Sequence, residues 1–499
     1  MPDHKTGKVY LIGAGPGDPG LLTVRGKELI ETADKVVYDS LVNEAILKWV
    51  KNGELVFAGK RSGLHSLNQD DINRVIVDLA KEGHTVARLK GGDPTIFGRV
   101  GEELRALNKA GIPYEIVPGI TAGIAGAAYA GIPITQRHMS SSVTFITGHE
   151  AIDEDGLLNI HKQGTLIFYM GLNHLEAIAA QLIEAGRSAD TPVAVIEWAT
   201  RPHQRTVTGS LTTIAELCAA ENFGTPSIIV VGEVAALRDE FAWFESKPLF
   251  GKRVCITRST GHADELKERL HEYGADVFEF PTVAVEATTP APQLENLGEY
   301  DWILFTSING VDAFLDQLHA SNQDLRALHG IRLYAISRKT AEALAWRGLR
   351  VDGVPERYDP ETILAQLEEI SGPLTDQRML LPRADVGQSA LPKALEQAGA
   401  DITELQAYQM VIPDESEVRA DKLVDYRPDY VIFNSASAAR NYHAIMGERL
   451  AQLPDDLTYA SIGPIASKAA TQCGLTIALE PHTHRVPDLV ETLIEHARD

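Results

Sequence analysis

The chain has 499 residues, 44% of them hydrophobic, which suffices for about two to four globular domains with sizeable cores. A formal charge of −23 argues against a nucleic-acid partner, and three scattered cysteines, Cys218, Cys255 and Cys473, argue against a disulfide framework or a zinc site. The opening MPDHKTGK runs into a strand without an apolar stretch of signal or membrane length, so a cytoplasmic protein that does not enter a membrane is expected.

Taken in order, residues 8–22, KVYLIGAGPGDPGLL, read as a buried strand entering a glycine-rich turn. The turn resembles a dinucleotide fingerprint, but Pro16 and Pro19 remove N–H donors where a pyrophosphate would need them, so an adenosyl ligand without a pyrophosphate fits better than a nicotinamide dinucleotide. A helix from about Thr23 to Thr32 leads to a strand, Lys35 to Tyr38, ending on Asp39. A carboxylate there lies on the usual ligand edge of an α/β sheet, which makes Asp39 a candidate base; a helix-capping role is the alternative. Leu55 to Ala58 delivers a basic loop, Gly59-Lys60-Arg61-Ser62-Gly63, to the same edge, and Asn68 to Lys81 is an amphipathic helix.

The stretch VARLKGGDPTIFGR, residues 86–99, organises the N-terminal half. A buried strand stops at Gly91-Gly92, where bare backbone lets a ligand approach closely, and Asp93 adds an acceptor for an ammonium or for ribose hydroxyls. A helix over Gly101 to Gly111 and a strand over Tyr114 to Val117 follow, and then Pro118-Gly119-Ile120-Thr121-Ala122 opens a run of small residues suited to close helix packing. Thr121 is placed for a ligand. Further strands are expected over Val143 to Gly148, Thr165 to Gly171, Val193 to Thr200 and Ser227 to Gly232, so the fold class is α/β.

The segment LRDEFAWFESKPLFG, residues 237–251, ends this pattern and marks a boundary. Behind it the sequence repeats: RVCITR answers RMLLPR, YDWILFTS answers PDYVIFNS, and LYAIS answers YASIG. Two similar α/β lobes follow, with Arg258, Thr306, Ser307, Asn309, Arg383, Asn434, Ser435 and Ser437 at strand ends where they would line a cleft or cap helices. Against the acidic net charge, a poly-carboxylate ligand would need local basic clusters acting within the roughly 8 Å left unscreened by salt. The sequence supplies Lys60-Arg61 with His65, Arg88 with Lys90 and Arg99, Arg137-His138, and Arg201, His203 and Arg205.

The ordered segments GAGPGDPGLLTVRG, VVYDSLV, GKRSG, RLKGGDPTIFGR, PGITA, YAGIPITQR, TGH and YMG resemble the uroporphyrinogen-III C-methyltransferases of the tetrapyrrole methylase family. The C-terminal half resembles uroporphyrinogen-III synthase through its lobe repeat and its TR, FTS and IGP motifs. The resemblance implies a methylase domain of two α/β subdomains over 1–245, a linker over 246–251, and a two-lobed synthase over 252–499, with lobes 252–283 plus 412–499 and 284–411. It implies S-adenosylmethionine as cofactor, contacted by Pro16, Gly91, Gly92, Asp93, Ile96, Thr121, Ala122 and Met170, with Ala199 where the family usually has Gly. Asp39 and Lys60 correspond to the family's base and acid, and Tyr408 to the synthase's proton-donating Tyr. Arg61, Arg88 and Arg99 are the expected contacts to the acidic macrocycle, and Arg258, Thr306, Ser307, Arg383, Asn434 and Ser435 those to the linear bilane.

The implied reactions are cyclisation of hydroxymethylbilane and two methylations to precorrin-2, toward sirohaem or cobalamin, by a homodimer joined through the methylase domain. Two departures from the synthase pattern stand out: Ser337 replaces a glycine and Ala466 replaces a threonine, with Ser467 beside it. Alternative readings are a methylase for another acceptor and a methylase carrying a non-catalytic, two-lobed tetrapyrrole-binding tail.

Overall fold

The computed structural model describes residues 6–59, 68–148, 163–257, 264–289, 291–357, 359–384 and 390–498. The chain divides into two compact units. The first comprises Met1–Arg253 with Glu268–Asp276 and Ile494–Asp499, and the second comprises Val254–Lys267 and Val277–Leu493.

The first unit opens with a five-stranded sheet of β1 (Val9–Gly13), β2 (Lys35–Tyr38), β3 (Glu54–Phe57), β4 (Val86–Lys90) and β5 (Tyr114–Val117), in the order β3-β2-β4-β1-β5. Every pairing is parallel, so all five C-terminal ends share one edge. The helices between the strands begin and end where local chemistry says they should. Thr23 accepts from Gly26 N ahead of Val24–Thr32, Asn68 and Asp71 form a reciprocal capping box ahead of Gln69–Lys81, and Gly111 ends Val100–Ala110 at φ +69°.

A second sheet holds β6 (Val143–Thr147), β7 (Thr165–Tyr169), β8 (Pro192–Glu197), β9 (Arg205–Ser210) and β10 (Ser227–Val231), in the order β6-β7-β10-β8-β9. It is mixed: β6 and β7 run parallel, while β10 is antiparallel to both β7 and β8. The edge strand β9 is antiparallel to β8 and begins at Arg205, the last member of the Arg201, His203 and Arg205 cluster. Only Val207 of its six residues is buried, so an alternating hydrophobic pattern is missing. The aromatic segment after β10 folds onto this unit. Trp243 Nε1 donates to Ala128 O at 2.9 Å, and Glu245 accepts from Gln204, Thr206 and Arg238.

The second unit contains two sheets and a ribbon. β11 (Arg253–Ile256), β12 (Asp276–Glu279), β19 (Tyr430–Phe433), β20 (Thr458–Ser461) and β21 (Ile477–Leu479) form one sheet, ordered β12-β11-β19-β20-β21. β14 (Trp302–Phe305), β15 (Arg332–Ala335), β16 (Arg378–Arg383) and β17 (Asp401–Gln406) form the other, ordered β15-β14-β16-β17. Between them lies an antiparallel ribbon of β13 (Ala284–Ala287) and β18 (Tyr408–Val411). When the repeated blocks are overlaid, β11 matches β16, β12 matches β17, β14 matches β19 and β15 matches β20. The series β12-β11-β19-β20 is then the counterpart of β17-β16-β14-β15. The two lobes share one strand order, but the first is assembled from the two ends of the C-terminal half and the second from its middle. Each has its own apolar core, one around Phe280, Phe433 and Tyr442 and the other around Phe305, Phe314 and Leu380.

Candidate active site

On the first sheet, the turn after β1 and the turn after β4 are joined by backbone alone. Gly15 N donates to Gly92 O at 3.1 Å and Gly92 N to Gly15 O at 2.7 Å. Gly92 sits at φ +68°, where a side chain would be strained. Gly13, Gly92 and Gly119 pack so closely that a Cβ on Gly119 would lie 2.4 Å from Gly92 O and 2.8 Å from Gly13 Cα. Gly91 is different: a Cβ there would meet only the Leu41 side chain within 4 Å. The diglycine turn therefore offers backbone on its Leu41 side, a cradle suited to a ligand held by main-chain groups.

Asp93 is not the free acceptor expected. It is buried, its carboxylate receives Thr95 N at 2.7 Å and Gly119 N at 2.9 Å, and the Thr95 hydroxyl adds a third bond. Its side chain thus fixes the turn and ties it to the segment after β5. Thr121 stands ahead of the helix Ala122–Tyr129 without capping it. Its hydroxyl instead bonds Tyr169 OH at 2.7 Å, and Tyr169 OH accepts from Gly123 N at 2.8 Å, taking the role a capping side chain usually has. Burial raises the Tyr169 phenol, which keeps its proton for this network. Tyr169 was not singled out in the sequence, although a polar end to the apolar strand TLIFY, directly before Met170, was the available signal.

Backbone strain gathers around the same rim. Phe97, Arg99, Met170, Trp198 and Thr200 all have φ between 48° and 67°. Such residues cost on the order of 1 kcal/mol each and concentrate at ligand sites. Trp198 and Thr200 flank Ala199, Met170 is 47% exposed, and the Phe97 ring lies 5.0 Å from that of Tyr169. The Pro16 loop is closed by Asp18, whose backbone N–H donates to Thr200 Oγ1 at 3.0 Å and whose carboxylate accepts from Tyr129 OH at 2.6 Å. Ile96 and Ala122 are half-buried beside these elements in sequence.

Asp39 follows β2, next to β4 in the sheet. Its Oδ2 accepts from Arg88 at 3.2 Å and its Oδ1 from Leu41 N at 3.1 Å. Arg88, expected as an arm toward the substrate, is instead only 3% exposed and turned inward, with Nε 3.3 Å from Glu103 and one further N–H on Leu89 O at 2.8 Å. Lys90, two residues along the same face of β4, is also buried and donates to Glu103 at 2.9 Å. Burial depresses the Lys90 ammonium, with Glu103 opposing that effect. Glu103 could have been noticed: it stands three residues after Val100 and four before Leu107, on the apolar face of its helix. Arg99 remains outside, 57% exposed and paired with Glu102 at 2.8 Å. Lys60 and Arg61 lie outside the described residues.

In the second unit Tyr408 begins β18, on the ribbon between the sheets, and its hydroxyl is 3.1 Å from Ser307 Oγ. Ser307 also accepts from Gly310 N, and Ser435 accepts from Ala438 N, so both of these expected substrate contacts cap helices at matching places in the two lobes. Thr306 is half-buried at the end of β14. Arg383 is held by Glu404 at 2.7 Å. Asn434 is the exception: its side-chain nitrogen and oxygen are both buried without a hydrogen-bond partner among the described residues. An unpartnered buried amide is uncommon in a folded protein. Arg258 lies outside the described residues. Ser337 caps the helix Arg338–Trp346, Ala466 is core, and Ser467 is engaged by Ser461 at 2.6 Å and by Glu480.

The family described as Tetrapyrrole (Corrin/Porphyrin) Methylases matches residues 8–215, and that described as Uroporphyrinogen-III synthase HemD matches residues 264–491. Porphyrin biosynthesis protein HemD of Ruminiclostridium josui is 35% identical over 98% of this chain and 98% of its own. Uroporphyrinogen-III C-methyltransferase of Bacillus subtilis (strain 168) is 40% identical over 70% of this chain and 74% of its own. Among solved structures, uroporphyrin-III C-methyl transferase from Thermus thermophilus complexed with S-adenyl homocysteine is 36% identical, covering 46% of this chain and 100% of that one, with a TM-score of 0.41. No helix among the described residues is long and apolar enough to cross a membrane.

Proposed function

Because this chain belongs to the uroporphyrinogen-III C-methyltransferase family, in its fusion with uroporphyrinogen-III synthase, we propose that it closes hydroxymethylbilane to uroporphyrinogen III and methylates that ring twice, giving precorrin-2. That it is a tetrapyrrole-biosynthesis enzyme with both a methyltransferase and a synthase domain, using S-adenosylmethionine, follows from the family. The finer statement, the two substrates and the product, is our reading. The observation that carries it is the placement of Asp39 and the Gly91-Gly92 turn at the ends of adjacent parallel strands, on one sheet edge.

When bound, S-adenosylmethionine supplies an electrophilic methyl group. The residues that would hold it are the backbone of Gly91 and Gly92, Thr121 with Ala122, Met170 and Ala199, with Pro16 and Ile96 completing the rim; Asp93 acts by fixing the turn. An electron-rich pyrrole carbon needs chiefly to be held in line, so positioning supplies most of the rate. Each new carbon–carbon bond requires that a ring proton leave, and Asp39, its carboxylate oriented by Arg88, accepts it. Lys60 delivers a proton on the other side of the cycle, and Arg61 and Arg99 meet the carboxylates of the ring.

In the second unit Tyr408 donates to the departing hydroxyl of the bilane, with Ser307 orienting the phenol, while Asn434, Thr306, Ser435, Arg383 and Arg258 grip its carboxylates. The methylase unit forms a homodimer in this reading, to be checked by sedimentation. Incubation of the intact chain with hydroxymethylbilane and S-adenosylmethionine should yield precorrin-2. Release of uroporphyrinogen I alone would refute the synthase assignment and leave the C-terminal lobes as a binding module.

A further inference from the structure

We propose that Glu103 is a positioning residue for methyl transfer, one that acts through Arg88 on Asp39; this rests on Asp39 being the proton acceptor. Glu103 is 1% exposed and comes from the helix Val100–Ala110, whereas Arg88 and Lys90 come from β4 and Asp39 from the end of β2. Its carboxylate receives Arg88 Nε at 3.3 Å and Lys90 Nζ at 2.9 Å, and Gln69 Nε2 approaches at 3.4 Å from a third element. Nη2 of the same guanidinium reaches Asp39 at 3.2 Å, and Nη1 is anchored on Leu89 O.

A guanidinium is a rigid planar fork, so fixing Nε on Glu103 fixes where the remaining N–H groups point. The charges also require Glu103. Arg88 and Lys90 stand on the same face of a strand buried along all five residues, and two cations there need two counter-ions. Asp39 alone would face both of them. With Glu103 engaging both cations, one Asp39 oxygen receives Arg88 and the other the Leu41 N–H, in a single orientation at the sheet edge. This arrangement would hold the Asp39 carboxylate in register with a substrate that the diglycine turn faces.

The test uses the full chain, uroporphyrinogen III and S-adenosylmethionine. Glu103→Gln keeps the shape and removes the charge; kcat for methylation should fall by about tenfold to a hundredfold, the scale of a misaligned catalytic group. KM for S-adenosylmethionine and calorimetric binding of S-adenosylhomocysteine should stay within about twofold, and Glu103→Asp should restore part of the rate. Asp39→Asn should itself slow turnover by about a hundredfold, and Glu103→Gln added to it should cost less than about twofold more, since both act through one carboxylate. Losses that multiply in the double variant, or a wild-type kcat in folded Glu103→Gln protein, would overturn the proposal. If Glu103→Gln does not fold, Glu103→Asp carries the same test: a severalfold loss that disappears in the Asp39→Asn background supports it, and a wild-type kcat overturns it. Wild-type turnover of Asp39→Asn would overturn the proton-acceptor reading and this proposal with it, whereas a slow Asp39→Asn beside an unaffected Glu103→Gln would overturn this proposal alone.

Discussion

Replacing Gly119 by Ala tests the backbone cradle directly. The added Cβ would lie 2.4 Å from Gly92 O, 2.8 Å from Gly13 Cα and 2.9 Å from Gly13 C, all of them main-chain atoms that cannot rotate aside. Real Cβ contacts essentially never fall below 3.0 Å, so 3.0 minus 2.4, or 0.6 Å, is the smallest movement that accommodates it. Gly92 O is the acceptor for Gly15 N, and Asp93, which holds Gly119 N, sits on the same turn, so the shift spreads to both ligand loops. Overpacking of this kind costs about 1–3 kcal/mol, offset by about 0.4–1 kcal/mol from a stiffer unfolded chain. The net loss of about 1–2 kcal/mol should lower Tm of the first unit by about 2–8 °C. Calorimetric titration with S-adenosylhomocysteine should show at least about a tenfold weaker Kd, since about 1.4 kcal/mol of misfit suffices for that. Gly101→Ala is the control: it lies in the helix Val100–Ala110 with nothing within 4 Å of the new Cβ, and should leave Kd unchanged while stabilising by up to about 1 kcal/mol. Wild-type Kd and Tm for Gly119→Ala would refute the claim that these three glycines set the cradle.

Three other outcomes can be checked in the same protein. Tyr408→Phe should slow ring closure by about tenfold to a hundredfold in a bilane-consumption assay, while stability drops by only about 1 kcal/mol because Ser307 keeps its cap on Gly310 N; an unchanged rate would remove the phenol from the chemistry. Asn434→Ala deletes an amide that has no partner among the described residues, so Tm should hold within about 2 °C while ring closure slows by about tenfold, and a large Tm loss with a normal rate would mean that the amide is structural. Burial pushes the Cys218 thiol up to about 11 and raises Cys255 well above the ordinary range, whereas Cys473 is half-exposed. At pH 8 only about a thousandth of Cys218 is thiolate, so iodoacetamide should modify Cys473 first, with Cys218 gaining about tenfold in rate per pH unit toward pH 10; equal labelling of all three at pH 8 would contradict this burial.

Local sequence determined the α/β class and several strand ends: Lys35–Tyr38 stops before Asp39 and Tyr114–Val117 before Pro118, each with the bounds its pattern predicts. The same patterns put Asp39 and the Gly91-Gly92 turn at the C-terminal ends of strands, the usual ligand edge of such a sheet. Sequence also revealed a doubled C-terminal half, since matched blocks survive in order. What it could not decide was partnership. That β11 pairs with β19, Val254 lying opposite Tyr430 from the far end of the C-terminal half, is a property of hydrogen-bonded ladders, which have no local signature. Arg88 and Lys90 read as part of a basic surface cluster because each residue taken alone is charged; they are buried because Glu103 arrives from another helix to neutralise them. Ser307 and Ser435 are placed at strand ends by sequence, and only the helices behind them show that their hydroxyls also accept from Gly310 N and Ala438 N. A residue type states which bonds a side chain is able to make, and the packing of distant segments selects the one it makes.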